Sequence, residues 1–433
     1  MKLHAWVRAL LHSMLLGCCL MVSPSLMAAS ASDIPFLFGV GLHLGQSTHL
    51  NADSAAAMMT RVGFNSFRDE ASWGRIEGKP NSLVFPDNLA ELDRLIKMSA
   101  AGKKFYPLLV LDYGNNFYDG GDMPRSGAAL DGFARYAKFI AQRYAGQVAV
   151  FEIWNEWNGG MGSKAQPRQK GSPDDYMKLL SAVVPAIRSA APNAIILAGA
   201  TAGVDIDWSK RFAELGGLAL VDGFSVHAYN YRHPLRRLPE DAIGGVDKLE
   251  QTLVKASGKA SVPLYVTEIG MPTNGGSDGY SEDAVGAYAM RFLLLARSLP
   301  YMRGVWWYDM QDDGDDDKNP EHRFGLTRRS GDNKPAADAI KSVLAAVSGG
   351  SGFKTDVKGD GYTVSWKGAS GESYQAAWTT HASSALAPSL TSARQVNWWQ
   401  PPGKMTSSTR ALDGATGSND STVPKLFQSQ KGN

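Results

Sequence analysis

The chain has 433 residues, 44% apolar and 20% charged, which suits one large globular domain and a smaller one. Its 44 basic and 42 acidic side chains leave a net charge of +2, and both excess cations, Lys2 and Arg8, fall in the first ten residues. A balanced chain with no Lys/Arg cluster speaks against a nucleic-acid partner.

Lys2 and Arg8 precede an apolar run from Ala9 to Val22, and Ala28-Ala-Ser-Ala31 offers small-residue cleavage sites. This is the pattern of a signal peptide over residues 1–31, so the chain is expected to be exported to the periplasm or beyond. Both cysteines, Cys18 and Cys19, lie inside that segment, so the mature chain needs no thiol or disulfide chemistry. Leu15-Leu-Gly-Cys18 also resembles a bacterial lipobox, which keeps open a form anchored by lipid at Cys18.

From residue 33 to residue 347, strands and helices alternate eight times. The strands read as Phe36–Leu44, Phe64–Arg68, Lys104–Asp112, Val148–Glu156, Ala194–Ala200, Leu220–His227, Leu264–Glu268 and Gly304–Asp309. The helices between and after them read as Asn51–Val62, Asp87–Ala101, Leu130–Tyr144, Pro173–Ala190, Trp208–Leu215, Val246–Ala256, Ser281–Ser298 and Lys334–Val347. The alternation predicts an α/β fold, a (β/α)8 TIM barrel. A doubly wound open sheet is the alternative, and no Gly-x-Gly-x-x-Gly follows the first strand to support it. Ser348-Gly-Gly-Ser-Gly352 reads as a flexible linker. Residues 353–433 then change to short strands, Tyr362–Trp366, Tyr374–Thr380, Val396–Trp399 and Val423–Phe427, which predict a small C-terminal β-sandwich with a polar tail from Gly414. A structural buttress is the favoured role for it over a carbohydrate-binding module, because Trp398-Trp399 is the one obvious aromatic pair.

Two strands end in an acid: Val148–Glu156 and Leu264–Glu268. A strand buried on both faces is near-continuously apolar, so a terminal carboxylate needs a reason. Hydrolysis of a glycoside requires an acid to protonate the leaving oxygen and a carboxylate to attack the anomeric carbon or activate water. Glu156 and Glu268 are three βα units apart, on opposite sides of one barrel mouth. Arg68, ending the second strand, is the cation expected beside Glu268. His227 and Tyr229 share a face, so Tyr229 is placed to donate to Glu268 while His227 contacts sugar. Trp307 is read as the floor of the sugar site and Trp306 as core. Asn155 is assigned to the sugar 2-hydroxyl, and His43, Tyr113 and Asn115, at other strand ends, to the cleft wall. Glu152, four residues before Glu156, is read as a buried group in need of a partner.

The acidic loop Asp309–Asp317 fails as an EF-hand, because Pro320 falls where a bidentate Glu is needed. No metal and no cofactor is therefore expected.

Trp-Asn155-Glu156 and Thr-Glu268-Ile-Gly resemble the acid/base and nucleophile motifs of the clan A glycoside hydrolases. Phe67-Arg68, Trp73-Gly-Arg-Ile-Glu77, Phe85-Pro86 and Leu92-Asp93 resemble the second-strand region of that clan. Tyr113-Gly-Asn115…Tyr118, His227-Ala-Tyr229 and Trp306-Trp-Tyr308-Asp309…Asp312-Asp313-Gly314 are most similar to family 39 and to the Psl-type hydrolases of biofilm exopolysaccharides. The likeness spans residues 36–400. It implies a retaining glycosidase with Glu156 as acid/base and Glu268 as nucleophile. Long βα loops at the third, fourth, sixth and eighth strands suggest an extended groove and endo action on a bacterial exopolysaccharide or other β-linked polysaccharide, and a monomer is the default for such a barrel. An exo-acting β-xylosidase-like enzyme and a non-catalytic polysaccharide-binding or assembly factor are the alternatives.

Overall fold

The computed structural model describes residues 34–44, 50–103, 105–381, 393–396, 398–399 and 421–429. The expected export segment, with the lipid site at Cys18, lies outside these residues, as does the start of the polar tail at Gly414.

Eight parallel strands pair in chain order and close on themselves: β1 Leu37–Gly41, β2 Ser66–Glu70, β3 Tyr106–Leu111, β4 Val150–Ile153, β5 Ile195–Ala202, β6 Gly223–His227, β7 Leu264–Ile269 and β8 Met302–Trp307. The outer helices are α1 Ala52–Val62, α2 Trp73–Ile76, α3 Ala90–Met98, α4 Gly127–Arg143, α5 Pro173–Ala190, α6 Ile206–Glu214, α7 Pro239–Ser257, α8 Glu282–Ser298 and α9 Pro335–Val347. This is the TIM barrel that the alternation predicted.

Local chemistry sets the helix starts. Asn51 and Ser54 form a reciprocal capping box on α1. Ser126, Ser172 and Ser281 cap α4, α5 and α8 by accepting from the backbone three residues on. Helix α7 begins seven residues before the expected Val246, because Pro239 serves as a first-turn proline and Asp241 accepts from the Leu238 amide.

The barrel interior is a packed core. Leu37, Leu108, Val110, Val150, Ile195, Leu197, Tyr265 and Trp306 fill its lower layers. Trp306 lies across the barrel because β1 and β8 carry glycines there: a Cβ at Gly39 would sit 2.0 Å from the indole, and one at Gly304 would sit 2.6 Å from it. Its Nε1 donates to Ser66 Oγ at 3.0 Å. Burying an indole of roughly 200 Å² contributes about 5 kcal/mol of hydrophobic stabilisation. With the floor filled, the concave space lies at the C-terminal mouth, where the βα loops converge.

After α9 the chain enters a five-stranded antiparallel sheet, in the order β12-β13-β11-β10-β9, which fits the small sandwich expected. Its strands are β9 Ser351–Lys358, β10 Gly361–Lys367, β11 Ser373–Thr379, β12 Ala393–Val396 and β13 Lys425–Ser429. Ser351 and Gly352, read as linker, already belong to β9. That strand escapes sequence reading because its Lys354, Asp356 and Lys358 are exposed edge charges rather than an apolar alternation. The last strand, β13, pairs with both β11 and β12 and so is internal to the sheet. The sheet docks through Trp378, whose Nε1 donates to Glu240 on α7 at 2.8 Å; Glu240 in turn pairs with the buried Arg291 on α8. Trp366 Nε1 donates to the Ala346 carbonyl on α9 at 3.1 Å.

Candidate active site

Strand β4 ends at Ile153, three residues short of Glu156. Trp154 and Glu156 both adopt positive φ, 69° and 49°. Left-handed backbone at non-glycine residues costs roughly 1–3 kcal/mol each and persists only where its surroundings impose it. Here the Trp154 amide donates to the Leu111 carbonyl at 2.8 Å and the Glu156 amide to the Ala200 carbonyl at 2.9 Å. The two reversals turn the Trp154 indole into the packed layer outside the barrel and swing both Asn155 and Glu156 onto the mouth.

Across the mouth, Glu268 sits in β7. One carboxylate oxygen of Glu156, one of Glu268 and a ring nitrogen of His227 all lie within 4.8 Å of one another. His227 Nδ1 is 2.9 Å from Glu156 Oε1 and 3.4 Å from Glu268 Oε2. Arg68 Nη1 donates to Glu268 Oε1 at 2.5 Å, and Tyr229 Oη donates to Glu268 Oε2 at 3.0 Å. Arg68 Nε also donates to Glu152 at 2.8 Å and its Nη2 to Asn155 Oδ1 at 3.1 Å. Glu152 thus has its partner, and one guanidinium links it to Glu268. Asn155 Nδ2 donates to Tyr113 Oη at 3.1 Å.

These groups surround a cavity of about 1030 Å³. Arg68, Tyr113, Asn155, Glu156, Tyr229, Glu268 and His43 line it as expected. Three expectations are corrected. Trp307 is 1% exposed and packs outside the barrel, because Trp306 takes the inward position and the alternation along β8 returns Tyr308 to the cavity. Asn115 is buried as a clamp: its Nδ2 donates to the Glu77 carbonyl at 2.9 Å and its Oδ1 accepts from the Phe117 amide at 3.0 Å. His227 is fully buried behind the two carboxylates and does not line the cavity.

The cavity also has an acidic wall: Asp313 from the acidic loop already noted, and Asp69, Glu70, Asp112 and Glu321, which sequence reading missed. Asp69 and Glu70 directly follow Arg68, so the run Arg68-Asp69-Glu70 at a strand end was the available signal. Burial pushes Asp69 up to about 7, against the Glu70 amide, which pulls it down. Burial and the neighbouring Glu70 also push Asp112 well above the carboxylate range.

The rings of Trp154 and Trp157, the indoles nearest Glu156 in sequence, are buried away from the cavity and give the acid no apolar setting. Burial does push Glu156 up, but the hydrogen bond and charge of His227, aided by Arg68, bring it below its ordinary value. For His227, burial pushes downward, while the charge of Glu268 and the hydrogen bond to Glu156 prevail and raise it. Burial and the charge of Glu268 push Tyr229 well above 10, so it remains a donor. Arg68 stays protonated, because Glu152 and Glu268 outweigh the burial that opposes its charge. Burial lowers His43, but its hydrogen bond to Asp313 and the charge of Asp309 bring it up to about 10.

Similarity to known proteins points the same way. The sequence model of the cellulase family (glycosyl hydrolase family 5) matches residues 29–308. The search of curated proteins finds no match. Among solved structures, a family 39 glycoside hydrolase from the gut symbiont Bacteroides cellulosilyticus WH2 superposes with a TM-score of 0.72 at 22% identity, covering 92% of this chain and 81% of that one. A GH5_18 protein from Streptomyces cattleya in complex with GlcNAc gives a TM-score of 0.58 at 16% identity over 73% and 80% of the two chains. The exo-beta-1,4-mannosidase Op5Man5 from Opitutaceae bacterium strain TAV5 gives 0.55 at 18% identity over 73% and 60%. At such identities the structural likenesses speak to the fold, and they agree with the clan resemblance carried by the strand-end motifs. The match to more than half of the chain, on a closed eight-stranded barrel, shows that this protein is an O-glycosyl hydrolase belonging to the cellulase family, glycosyl hydrolase family 5.

Proposed function

We propose that the protein is a retaining glycoside hydrolase, endo-acting on a bacterial exopolysaccharide or other β-linked polysaccharide, with Glu268 as nucleophile and Glu156 as acid/base. The observation that carries this reading is the closeness of the two carboxylates, with an oxygen of each within 4.8 Å. Retaining enzymes hold their carboxyl groups about 5–5.5 Å apart, whereas inverting ones leave about 6.5–9.5 Å for a water. No helix among the described residues is long and apolar enough to cross a membrane. Export is supported by the Lys2/Arg8 and Ala28–Ala31 pattern at the N-terminus.

In the first step Glu268 attacks the anomeric carbon. Arg68 and Tyr229 each donate to one of its two oxygens and so orient it. The Glu156–His227 pair holds one proton between its members, so its titration belongs to the pair. Sugar entering the cavity displaces water from Glu156. Desolvation favours the neutral carboxyl, and the proton passes to Glu156 and on to the leaving oxygen. In the second step Glu156 takes a proton from water as that water attacks the glycosyl–Glu268 ester. The cavity of about 1030 Å³ is at the top of the range for a single small ligand, roughly 300–1,000 Å³, which suits a run of sugars.

The test uses an activated aryl β-glycoside and an unactivated oligosaccharide. We expect Glu268→Gln to lose turnover of both. We expect Glu156→Gln to keep the first step on the aryl substrate alone, because a good leaving group needs no proton. Equal loss in both variants on both substrates would overturn the assignment. Endo action requires solution viscosity to fall well ahead of reducing-end release; the opposite order would mean exo action.

A further inference from the structure

At the rim of the cavity, which His43 and Asp313 also line, a second group of side chains converges that the hydrolytic reading does not use. His43 follows β1, and Asp309 and Asp313 follow β8. One ligand atom from each lies within 4.8 Å of the others. His43 Nδ1 is 3.0 Å from Asp313 Oδ2 and 3.6 Å from Asp309 Oδ2. Separations near 3 Å between donors are those of neighbouring positions around an ion held at about 2.1 Å.

Two further observations are independent of that convergence. Asp309 is 3% exposed, and its Oδ1 has no hydrogen-bond partner. A buried carboxylate oxygen left alone is costly, and native structures supply it with a partner or an ion. The three side chains also line a small pocket of about 10 Å³, together with Gly41, Leu42 and Met310. That is room for one water-sized particle.

We propose that His43, Asp309 and Asp313 bind a divalent cation, of the class served by mixed imidazole and carboxylate donors, Mn²⁺ or Zn²⁺. The charges then balance, with two carboxylates and a neutral imidazole around a dication. An imidazolium at His43 satisfies Asp313 at 3.0 Å but leaves Asp309 Oδ1 alone. The neighbouring acids are already engaged: Asp69 accepts from the Leu44 and Glu70 amides, and Asp312 pairs with Lys334 at 2.6 Å. The cation joins the end of β1 to the loop after β8, beside Tyr308. The sequence alone hides the site because its ligands are 266 and 270 residues apart and follow no EF-hand spacing.

The test is a titration of the chelator-treated full chain with MnCl2, read by the electron paramagnetic resonance signal of free Mn²⁺, with ZnCl2 as competitor. We expect one Mn²⁺ per chain, displaced by Zn²⁺. His43→Asn and Asp313→Asn should each weaken binding by about 10- to 100-fold, while Glu156→Gln leaves it unchanged. Asp313 is at the surface, so its substitution keeps the fold, and circular dichroism checks this. No Mn²⁺ or Zn²⁺ bound at millimolar concentration overturns the site. Binding lost in Glu156→Gln but kept in His43→Asn overturns it too, because the ion would then belong to the Glu156, His227 and Glu268 trio.

Discussion

Glu152→Gln probes how the barrel interior governs the nucleophile. In the wild type, Arg68 is shared between Glu152 at 2.8 Å and Glu268 at 2.5 Å. The glutamine keeps the shape and one acceptor but removes the charge. Two carboxylates that share one guanidinium repel each other, and the substitution removes that repulsion. We therefore expect the acid limb of kcat/KM to move to lower pH. Stability at neutral pH should fall by about 1–3 kcal/mol, because a buried charge-assisted bond becomes a neutral one. The assays are a pH–rate profile on an activated aryl glycoside and urea unfolding at neutral pH. A folded variant whose acid limb stays in place, or moves up, would refute the coupling through Arg68.

Three other outcomes follow from the geometry. Gly39→Ala places a methyl group 2.0 Å from the Trp306 ring, so we expect a loss of about 1–3 kcal/mol in urea unfolding or no soluble protein. Asn115→Ala should cost about 1–3 kcal/mol through the unsatisfied Glu77 carbonyl, yet leave KM within about twofold, since Asn115 does not touch the cavity. The Glu156–His227 pair makes a signed contribution to stability. Glu156 is depressed, so its share is present above its ordinary 4.5 and fades as pH falls through the folded value; His227 is raised, so its share is present below 6.5 and fades as pH rises through the folded value. The stability difference between wild type and His227→Gln should thus peak between pH 4.5 and 6.5 and shrink on both sides, as read by chemical denaturation across pH.

The barrel was legible because each strand is a short apolar run and each helix carries its own start signal, such as Ser126, Ser172 and Ser281. The contacts of Arg68 and Tyr229 with Glu268 were legible too, because strand parity and strand ends locate them. What failed depended on other parts of the chain. Whether Trp306 or Trp307 faces inward is decided by the space left at Gly39 and Gly304. Whether Glu156 reads as strand or turn is decided by carbonyls at Leu111 and Ala200, which fix its left-handed backbone. His227 came to Glu156 rather than to sugar because the reversal of β4 carries the carboxylate toward it.

The docking of Trp378 on the Glu240–Arg291 pair bears on how the chain melts. Detaching the C-terminal sheet would strand a buried guanidinium and carboxylate at a newly wetted face of the barrel and uncover the Trp366 contact with α9. We therefore expect sheet and barrel to lose structure together, in a single calorimetric step, and truncation after Val347 to expose the Glu240–Arg291 pair and destabilise the barrel.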